Sequence, residues 1–303
     1  MSFSSDIKKE LGKINNLSNK VQVLYELIGY LITYNTKIIN KKTLRFATES
    51  DYNINRFSKL LENLKIEHNI EMEGNLFVIS FKLKDISQKL KDISQDFLEE
   101  STLTLNNDFD KLELSEEEIK SLVRGCFLGS GSVNNPDINY HLEITFSQII
   151  NMKKIQNLIE QKGIKVKILE KENRYSIYIK EAEEISRLLA LMGANKGVLK
   201  FEEIRIQREM RGKVNRIVNC ETANLNKTIN AAVQQIEAIK KLKEQGKFGK
   251  LNDNLKEIAN LRLKNPDISY EELGNMLKNP VGKSGVNYRL KKIIEIAQEG
   301  EEK

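Results

Sequence analysis

Two apolar stretches, 96 positions apart, decide the fold of this chain: LIGYLITYN at residues 27–35 and VRGCFLGSG at residues 123–131. The first contains Gly29, and the second contains Gly125 and Gly129. Because glycine has no Cβ, two helices with glycine at these places can approach each other closely. The pair therefore predicts a helix-on-helix contact, unless these are two unrelated core helices that each contain a packing glycine.

The pattern of helices and strands around these stretches occurs twice. In the first half, apolar spacing predicts a helix, an extended region, a helix, a hairpin and a helix over residues 17–34, 36–48, 51–66, 69–82 and 83–98. In the second half, it predicts a helix, a strand, a helix, a strand pair and a helix over residues 115–128, 139–147, 148–161, 164–180 and 181–192. Each half therefore has the order αββαββα, which indicates an internal duplication of about 96 residues.

The paired glycine helices resemble the LAGLIDADG helix pair, which forms the dimer core of homing endonucleases. An active nuclease of that kind needs an acidic side chain near the end of each helix, to hold a metal ion at the scissile phosphate. Tyr34 and Ser130 occupy those two places. We therefore predict no catalytic residue, no metal site and no cofactor. The two histidines and two cysteines are also too few for a His-rich or multi-cysteine metal site.

The last third of the chain is predicted to be all-helical. Two helices are expected over residues 201–217 and 225–244, followed by a flexible linker at 245–250. A compact module then has helix-turn-helix proportions, with helices predicted over residues 253–264, 270–277 and 285–297. Ser284 is expected to cap the third of these helices, whose inner face carries Val286, Leu290, Ile293 and Ile294. The fold class is therefore α+β, a duplicated αββαββα scaffold followed by an all-α domain.

Positive charge is concentrated in the last third. The chain has a net charge of +6, which divides into +1 for residues 1–100, 0 for 101–200 and +5 for 201–303. A basic region of this kind is typical of a protein that binds nucleic acid, since phosphate contacts dominate that affinity. The alternative is a general lysine bias in the coding sequence, but such a bias would also raise the net charge of the first two thirds.

The outer face of the predicted third helix has the composition of a recognition helix. Residues 281–293 contain four basic side chains and no acidic one. In a major groove, asparagine can pair with adenine and arginine with guanine, while lysines and the helix N-terminus hold phosphates. The predicted DNA-binding residues here are Lys283, Ser284, Asn287, Tyr288, Arg289, Lys291 and Lys292. The alternative is an ordinary three-helix bundle that binds a protein.

A second basic segment lies at residues 204–216. On a helix, its arginines fall roughly along one side, and we predict that they contact phosphates beside the helix-turn-helix. These residues are Arg205, Arg208, Arg211 and Arg216. The alternative is a solvated face, or pairing with acidic residues of the first two domains.

The sequence predicts four segments. They are two scaffold halves at 1–100 and 101–200, a basic helical linker at 201–250, and a DNA-binding domain at 251–303. No apolar run is long enough for a transmembrane helix, and the N-terminus lacks the pattern of a signal peptide. We therefore expect a cytoplasmic monomer that binds double-stranded DNA and no membrane.

Three further stretches connect the chain to a known family. They are GSGSVNNP at residues 129–136 together with YHLEI at 140–144, VNRIVNCETANLNKT at 214–228, and KSGVNYRL at 283–290. With these stretches the chain resembles, over essentially its whole length, the WhiA family of bacterial sporulation and cell-division regulators.

The resemblance implies two degenerate LAGLIDADG halves, followed by a helix-turn-helix similar to the promoter-reading domain of sigma factors. It implies DNA binding at the nucleoid, regulation of transcription, and a role in cell division, chromosome segregation and, in species that sporulate, sporulation. Other transcription factors or RNA polymerase are the implied protein partners, and no enzyme activity is implied. Two alternatives stay open: a metal-dependent DNA endonuclease that retains the older activity, and an adaptor that docks on another protein.

Overall fold

The computed structural model describes residues 2–93 and 97–299, which form two compact units, Met1–Glu209 and Met210–Lys303. The first unit contains both duplicated halves, and the second contains the C-terminal helices. One helix begins in the first unit and ends in the second. The four segment boundaries expected from the sequence stay predictions. Within the described ranges, every helix is too short or too polar to cross a membrane.

The helices follow the chain in the order α1 to α11. They are α1 (Phe3–Leu11), α2 (Lys20–Leu31), α3 (Asp51–Asn63), α4 (Leu83–Ile93), α5 (Glu116–Ser130), α6 (Ile149–Gln161), α7 (Ala182–Met192), α8 (Asn195–Glu244), α9 (Asp253–Lys264), α10 (Tyr270–Asn275) and α11 (Lys283–Gln298).

The strands form two four-stranded antiparallel sheets and a short strand pair. They are β1 (Thr36–Ile39), β2 (Thr43–Thr48), β3 (His68–Glu73), β4 (Leu76–Lys82), β5 (Leu98–Glu99), β6 (Thr104–Leu105), β7 (Gly131–Val133), β8 (Leu142–Phe146), β9 (Lys167–Lys171) and β10 (Arg174–Ile179). The sheet orders are β1-β2-β4-β3 and β7-β8-β10-β9, so the second sheet repeats the topology of the first.

The predicted order αββαββα is confirmed in both halves. In each sheet, apolar residues in register share the face that packs against the helices, as at Phe46 opposite Ile79 and Ile144 opposite Ile177. All four of these side chains are buried. The alternation of apolar and polar residues along the strands therefore corresponds to one buried sheet face and one solvent-exposed face, as expected for antiparallel sheets.

Helices α2 and α5 pack against each other at the centre of the first unit, through the glycines of the two sequence stretches. A Cβ on Gly125 would overlap the backbone carbonyl of Glu26, and a Cβ on Gly29 would lie 2.6 Å from the backbone nitrogen of Cys126. A Cβ on Gly129 would overlap the hydroxyl of Thr33. The predicted close approach of the two helices is therefore confirmed, and the backbones approach each other so closely that only glycine fits at these positions.

A buried ion cluster lies at the same helix pair. The Glu26 carboxylate is fully buried and accepts hydrogen bonds from Arg56 Nε at 2.7 Å, Arg124 Nε at 3.0 Å and Asn16 Nδ2 at 3.0 Å. Burial alone would raise the pKa of Glu26. The hydrogen bond from Arg56, the charges of Arg124 and Arg56 and the bond from Asn16 outweigh burial and hold that pKa below its ordinary value. Glu26 and Arg56 come from the first half and Arg124 from the second.

Several predicted boundaries in the first unit are wrong. The helix expected over 83–98 is described as α4 over Leu83–Ile93, and Leu98 at the end of the expected range lies in β5 instead; residues 94–96 of that prediction lie outside the described residues. The strand expected over 139–147 is limited to β8, and β7 had not been predicted. Thr104 and Leu105 are buried in β6, where the Leu105 backbone N–H donates to Asn151 Oδ1 at 2.9 Å.

The C-terminal helices also differ from the prediction. Residues 195–244 form the single helix α8 rather than two helices, since neither proline nor a glycine turn interrupts it. The flexible linker expected at 245–250 is a tight turn: Gly246 has a φ of +67° and the Lys247 backbone N–H donates to Leu242. Gly282, not Ser284, is the N-cap of α11, because the Gly282 carbonyl accepts from Gly285 and Val286.

Candidate nucleic-acid interface

The second unit places α9, α10 and α11 around one small core. Its buried side chains come from all three helices and from the last turns of α8. They include Ile239, Leu242, Leu255, Ile258, Leu273, Leu290 and Ile293. The predicted inner face of α11 is confirmed for Val286, Leu290 and Ile293, which are buried, while Ile294 is half-buried.

The turn between α9 and α10 is held by a buried arginine that sequence reasoning missed. Arg262 is fully buried, and its Nη1 donates to the carbonyls of Pro266 at 3.2 Å and Ile268 at 2.9 Å. Its guanidinium lies 5.6 Å from the centroid of the Tyr270 ring. The one available signal was an arginine four residues before Pro266, where the chain must turn.

Helix α10 begins with a capping box. The Ser269 hydroxyl accepts from the Glu272 backbone N–H at 3.2 Å, and the Glu272 carboxylate accepts from the Ser269 backbone N–H at 2.8 Å. These bonds hold the pKa of the Glu272 carboxyl below its ordinary value. After α10, the Val281 backbone N–H donates to the Gly274 carbonyl at 3.3 Å, and a Cβ on Gly274 would overlap the Val281 carbonyl. The turn that leads into α11 is therefore closely packed.

Helix α11 presents most of the predicted DNA-binding residues on one solvent face. Arg289 is half-buried, and Tyr288 has 65% of its surface exposed. The other predicted residues on this helix are exposed: Lys283, Ser284, Asn287, Lys291 and Lys292. Within the described part of the chain, no carboxylate pairs with any of the four basic side chains. Lys292 Nζ lies 5.9 Å from the Tyr288 ring centroid. The face therefore has positive charge that is not neutralised locally.

The four arginines of α8 do not form one group. Arg205 Nε lies 3.2 Å from the Glu202 carboxylate, and Arg208 Nη1 donates to the Pro136 carbonyl at 2.8 Å. Both belong to the first unit: Arg205 pairs within α8, and Arg208 joins α8 to the segment that follows β7. Arg211 and Arg216 belong to the second unit and are exposed.

The ends of α2 and α5 carry backbone hydrogen bonds in place of an acidic pair. The Tyr34 backbone N–H donates to the Thr145 carbonyl at 3.1 Å, and the Ser130 hydroxyl accepts from the Thr145 backbone N–H at 3.1 Å. Asn35 Nδ2 donates to the Gly129 carbonyl at 2.7 Å. Over residues 2–93 and 97–299, no three histidine, cysteine or acidic side chains are grouped so that they could hold a metal ion.

Comparison with known proteins matches both units. The model of the WhiA LAGLIDADG-like domain matches residues 119–211, and the model of the WhiA C-terminal HTH domain matches residues 214–297. A crystal structure of full-length DUF199/WhiA from Thermatoga maritima aligns with a TM-score of 0.59 at 27% identity, over 99% of each chain. The N-terminal LAGLIDADG domain of DUF199/WhiA aligns with a TM-score of 0.51 at 22% identity, covering 63% of this chain and 90% of that one.

Two relatives align over nearly the full length. The Probable cell division protein WhiA of Clostridium acetobutylicum is 38% identical over 312 residues, which covers 99% of this chain and 98% of the relative. The protein of the same name from Clostridium tetani is 38% identical over 314 residues, with the same coverage. Identity at this level over whole chains confirms the resemblance found in the sequence, and the chain belongs to the WhiA family.

Proposed function

We propose that this chain is a DNA-binding regulator of transcription that acts in cell division. The observation that carries the proposal is the solvent face of α11, whose basic side chains have no carboxylate partner in the part of the chain described. A closely packed three-helix unit supports that face, as recognition helices require. The helix-turn-helix family match and the relatives' name, cell division protein, point in the same direction.

Each residue of the face has a proposed role. The first turn of α11, with Asn287 and Arg289 just beyond it, enters the major groove and reads base edges, since asparagine pairs with adenine and arginine with guanine. Lys283, with Ser284 and the helix N-terminus, holds a phosphate at the groove edge. Lys291 and Lys292 contact the backbone, and Tyr288 packs against the sugar-phosphate wall.

The arginines of α8 have two roles in this proposal. Arg211 and Arg216 are exposed in the second unit and contribute phosphate contacts, which carry affinity without sequence information. Arg205 pairs with Glu202 one turn earlier in α8, and Arg208 donates to the Pro136 carbonyl, so both contribute less to phosphate binding than Arg211 and Arg216.

The finer aspects of the function follow the family resemblance. We propose that the protein acts at the nucleoid in the cytoplasm. In this proposal it influences chromosome segregation and, in a host that sporulates, sporulation. Its proposed protein partners are RNA polymerase or other transcription factors. The LAGLIDADG-like scaffold has no nuclease activity in this proposal, because Tyr34 and Ser130 stand where metal-holding acids are needed.

Alanine substitutions on α11 should separate base reading from phosphate binding. We expect Arg289→Ala to lower discrimination between a selected and a scrambled duplex by about 1–3 kcal/mol, and Lys291→Ala to reduce the slope of log affinity against log salt by about 1. Fluorescence anisotropy, with a duplex selected by the full-length chain from a randomised pool, measures both. Lys84→Ala removes the same charge from the exposed surface of α4 and should change neither quantity. Unchanged discrimination and salt slope in both α11 variants would show that this face does not bind DNA.

A direct test addresses the nuclease alternative. Supercoiled plasmid incubated with the full-length chain and Mg²⁺ or Mn²⁺ should stay intact, because Tyr34 and Ser130 occupy the two places where an active nuclease needs acids that hold the metal. Agarose gel electrophoresis measures nicking over time. Nicking that a chelator abolishes, and that follows the protein through its final purification step, would contradict the proposal.

A further inference from the structure

A cavity of about 760 Å³ opens in the first unit beside the ends of α2 and α5. Its volume lies in the range of about 300–1,000 Å³ that is typical of small-molecule sites. Hydroxyl groups on its lining, which can both donate and accept hydrogen bonds, include those of Ser4, Ser5, Thr48 and Ser132. All of its lining residues belong to the first unit, whereas α11 belongs to the second.

Two helices begin at this cavity. Ser2 is the N-cap of α1 and Ser50 is the N-cap of α3, and both serines line the cavity. The Ser2 hydroxyl accepts from the Ser5 backbone N–H at 3.2 Å, and the Ser50 hydroxyl accepts from that of Asn53 at 3.3 Å. The first N–H groups of a helix have no acceptor within the helix, and its N-terminus carries partial positive charge. Two helix ends at one cavity therefore favour an anionic ligand such as phosphate.

A lysine without a partner lines the same cavity. Lys8 lies in the second turn of α1, and its Nζ is 5.9 Å from the centroid of the Phe127 ring. Within the described residues, its amine makes no ion pair and no hydrogen bond. Burial lowers the pKa of Lys8 to about 8, because nothing compensates the amine for the water contacts that it has lost. A phosphate in the cavity would supply the missing negative charge.

Exposed residues of the lining suit the remainder of a nucleotide. Tyr34 and Tyr52 expose 36% and 39% of their surfaces, so a base can stack on either ring. The Glu49 carboxylate can accept from sugar hydroxyls, as acidic side chains do at ribose. Asp51 is also on the lining, and its Oδ1 accepts from the Tyr52 backbone N–H at 2.8 Å. Lys37 contributes a second lysine to the lining.

We propose that this cavity binds a nucleoside monophosphate. The phosphate binds Lys8 and the N-termini of α1 and α3. The sugar hydroxyls donate to Glu49, and the base stacks on Tyr34 or Tyr52. The two lysines and the two carboxylates of the lining cancel in charge, so a ligand with one strongly negative end fits better than a polyanion. The proposal is independent of DNA binding by α11, and the sequence did not predict this ligand.

Isothermal titration calorimetry of the full-length chain tests the site, with AMP, GMP, CMP and UMP as separate probes. We expect at least one nucleotide to bind about 10-fold or more tightly than inorganic phosphate and than its own nucleoside, since phosphate and base both contribute contacts. Lys8→Met keeps a long side chain but removes the charge, and it should weaken binding of that nucleotide by about 10-fold or more. Circular dichroism should be unchanged, because the variant leaves no buried charge unpaired.

Lys13→Met is the matched control. It removes the same charge from the exposed surface of α1 outside the cavity, and should leave nucleotide binding unchanged. Both lysine variants should keep the native affinity for DNA, which separates this test from that of α11. Three results would overturn the proposal: no nucleotide binding at millimolar concentration, equal weakening by the two lysine variants, or inorganic phosphate that binds as tightly as a nucleotide.

Two further measurements define the ligand. Tyr34→Leu combined with Tyr52→Leu should weaken binding of the nucleotide but not of ribose 5-phosphate, because only the nucleotide has a base that stacks on these rings. Equal weakening of both ligands would contradict the stacking. A 5′-phosphorylated trinucleotide should bind no more tightly than the mononucleotide. Tighter binding of the trinucleotide, lost in Lys8→Met, would show that the cavity takes the end of a nucleic-acid strand and would overturn the proposal.

Discussion

Glu26→Gln is expected to lower the free energy of unfolding of the first unit by about 3–5 kcal/mol, because it leaves Arg56 and Arg124 buried without a carboxylate. Glutamine keeps the size of the side chain, so the loss comes from charge rather than from a cavity. Urea unfolding of the full-length chain, followed by circular dichroism, measures it. Glu117→Gln removes an exposed carboxylate paired with Lys120 on α5 and should have little effect. Equal effects of the two substitutions would show that the cluster contributes no special stability.

The stability that Glu26 contributes is expected to depend on pH. Its folded pKa lies below its ordinary value, near 4.3 in an unfolded chain. A group of this kind contributes stability that is fully present above the unfolded pKa and is lost as pH falls through the folded pKa. The difference in stability between the native chain and Glu26→Gln should therefore be constant near neutral pH and shrink below about pH 4. A difference that stays constant down to pH 3 would contradict this assignment.

Gly125→Ala should have the second large effect. The added methyl group would overlap the Glu26 carbonyl, and backbone on the facing helix cannot move aside as a flexible side chain can. Helices α2 and α5 must then separate along a fully buried contact, at an expected cost of about 3 kcal/mol or more. Urea unfolding of the first unit measures the loss.

A second glycine provides the control for this substitution. Gly212 lies within α8, and no heavy atom lies within 4 Å of an added Cβ. Gly212→Ala should therefore stabilise the helix by about 0.5–1 kcal/mol, because alanine loses less backbone entropy. Replacing glycine by alanine is thus expected to destabilise the protein at Gly125 and to stabilise it at Gly212. Two substitutions with the same small effect would be incompatible with the described packing of α2 and α5.

The central architecture could be predicted because local patterns determine it. Capping boxes at Ser115 and Ser269 mark the helix starts, strand alternation marks the sheet faces, and Gly125 marks the helix contact. Each of these signals lies within a few residues of the structure that it specifies. The recurrence of the pattern after about 96 residues then predicts the second half from the first.

Features that depend on distant residues could not be predicted. Glu26 is the one acidic residue of α2, but its arginine partners lie 30 and 98 positions away, and no local pattern identifies them. The partners of Arg262 are carbonyls that only the folded turn brings together. The break expected between the helices predicted over 201–217 and 225–244 does not occur: Asn219, Thr222 and Asn224 have low helix propensity, yet nothing in that segment prevents the helix from continuing.

The placement of the Glu26 cluster means that the duplicated scaffold has become indivisible. A first half on its own would keep Glu26 and Arg56 but lose Arg124, and a second half would expose Arg124 with no acid to receive it. Two copies of the second half would bring two such arginines together at the centre. If the repeat arose from a symmetric dimer of one half, two identical halves could no longer build this ion cluster. Both repeats must therefore be encoded in one chain.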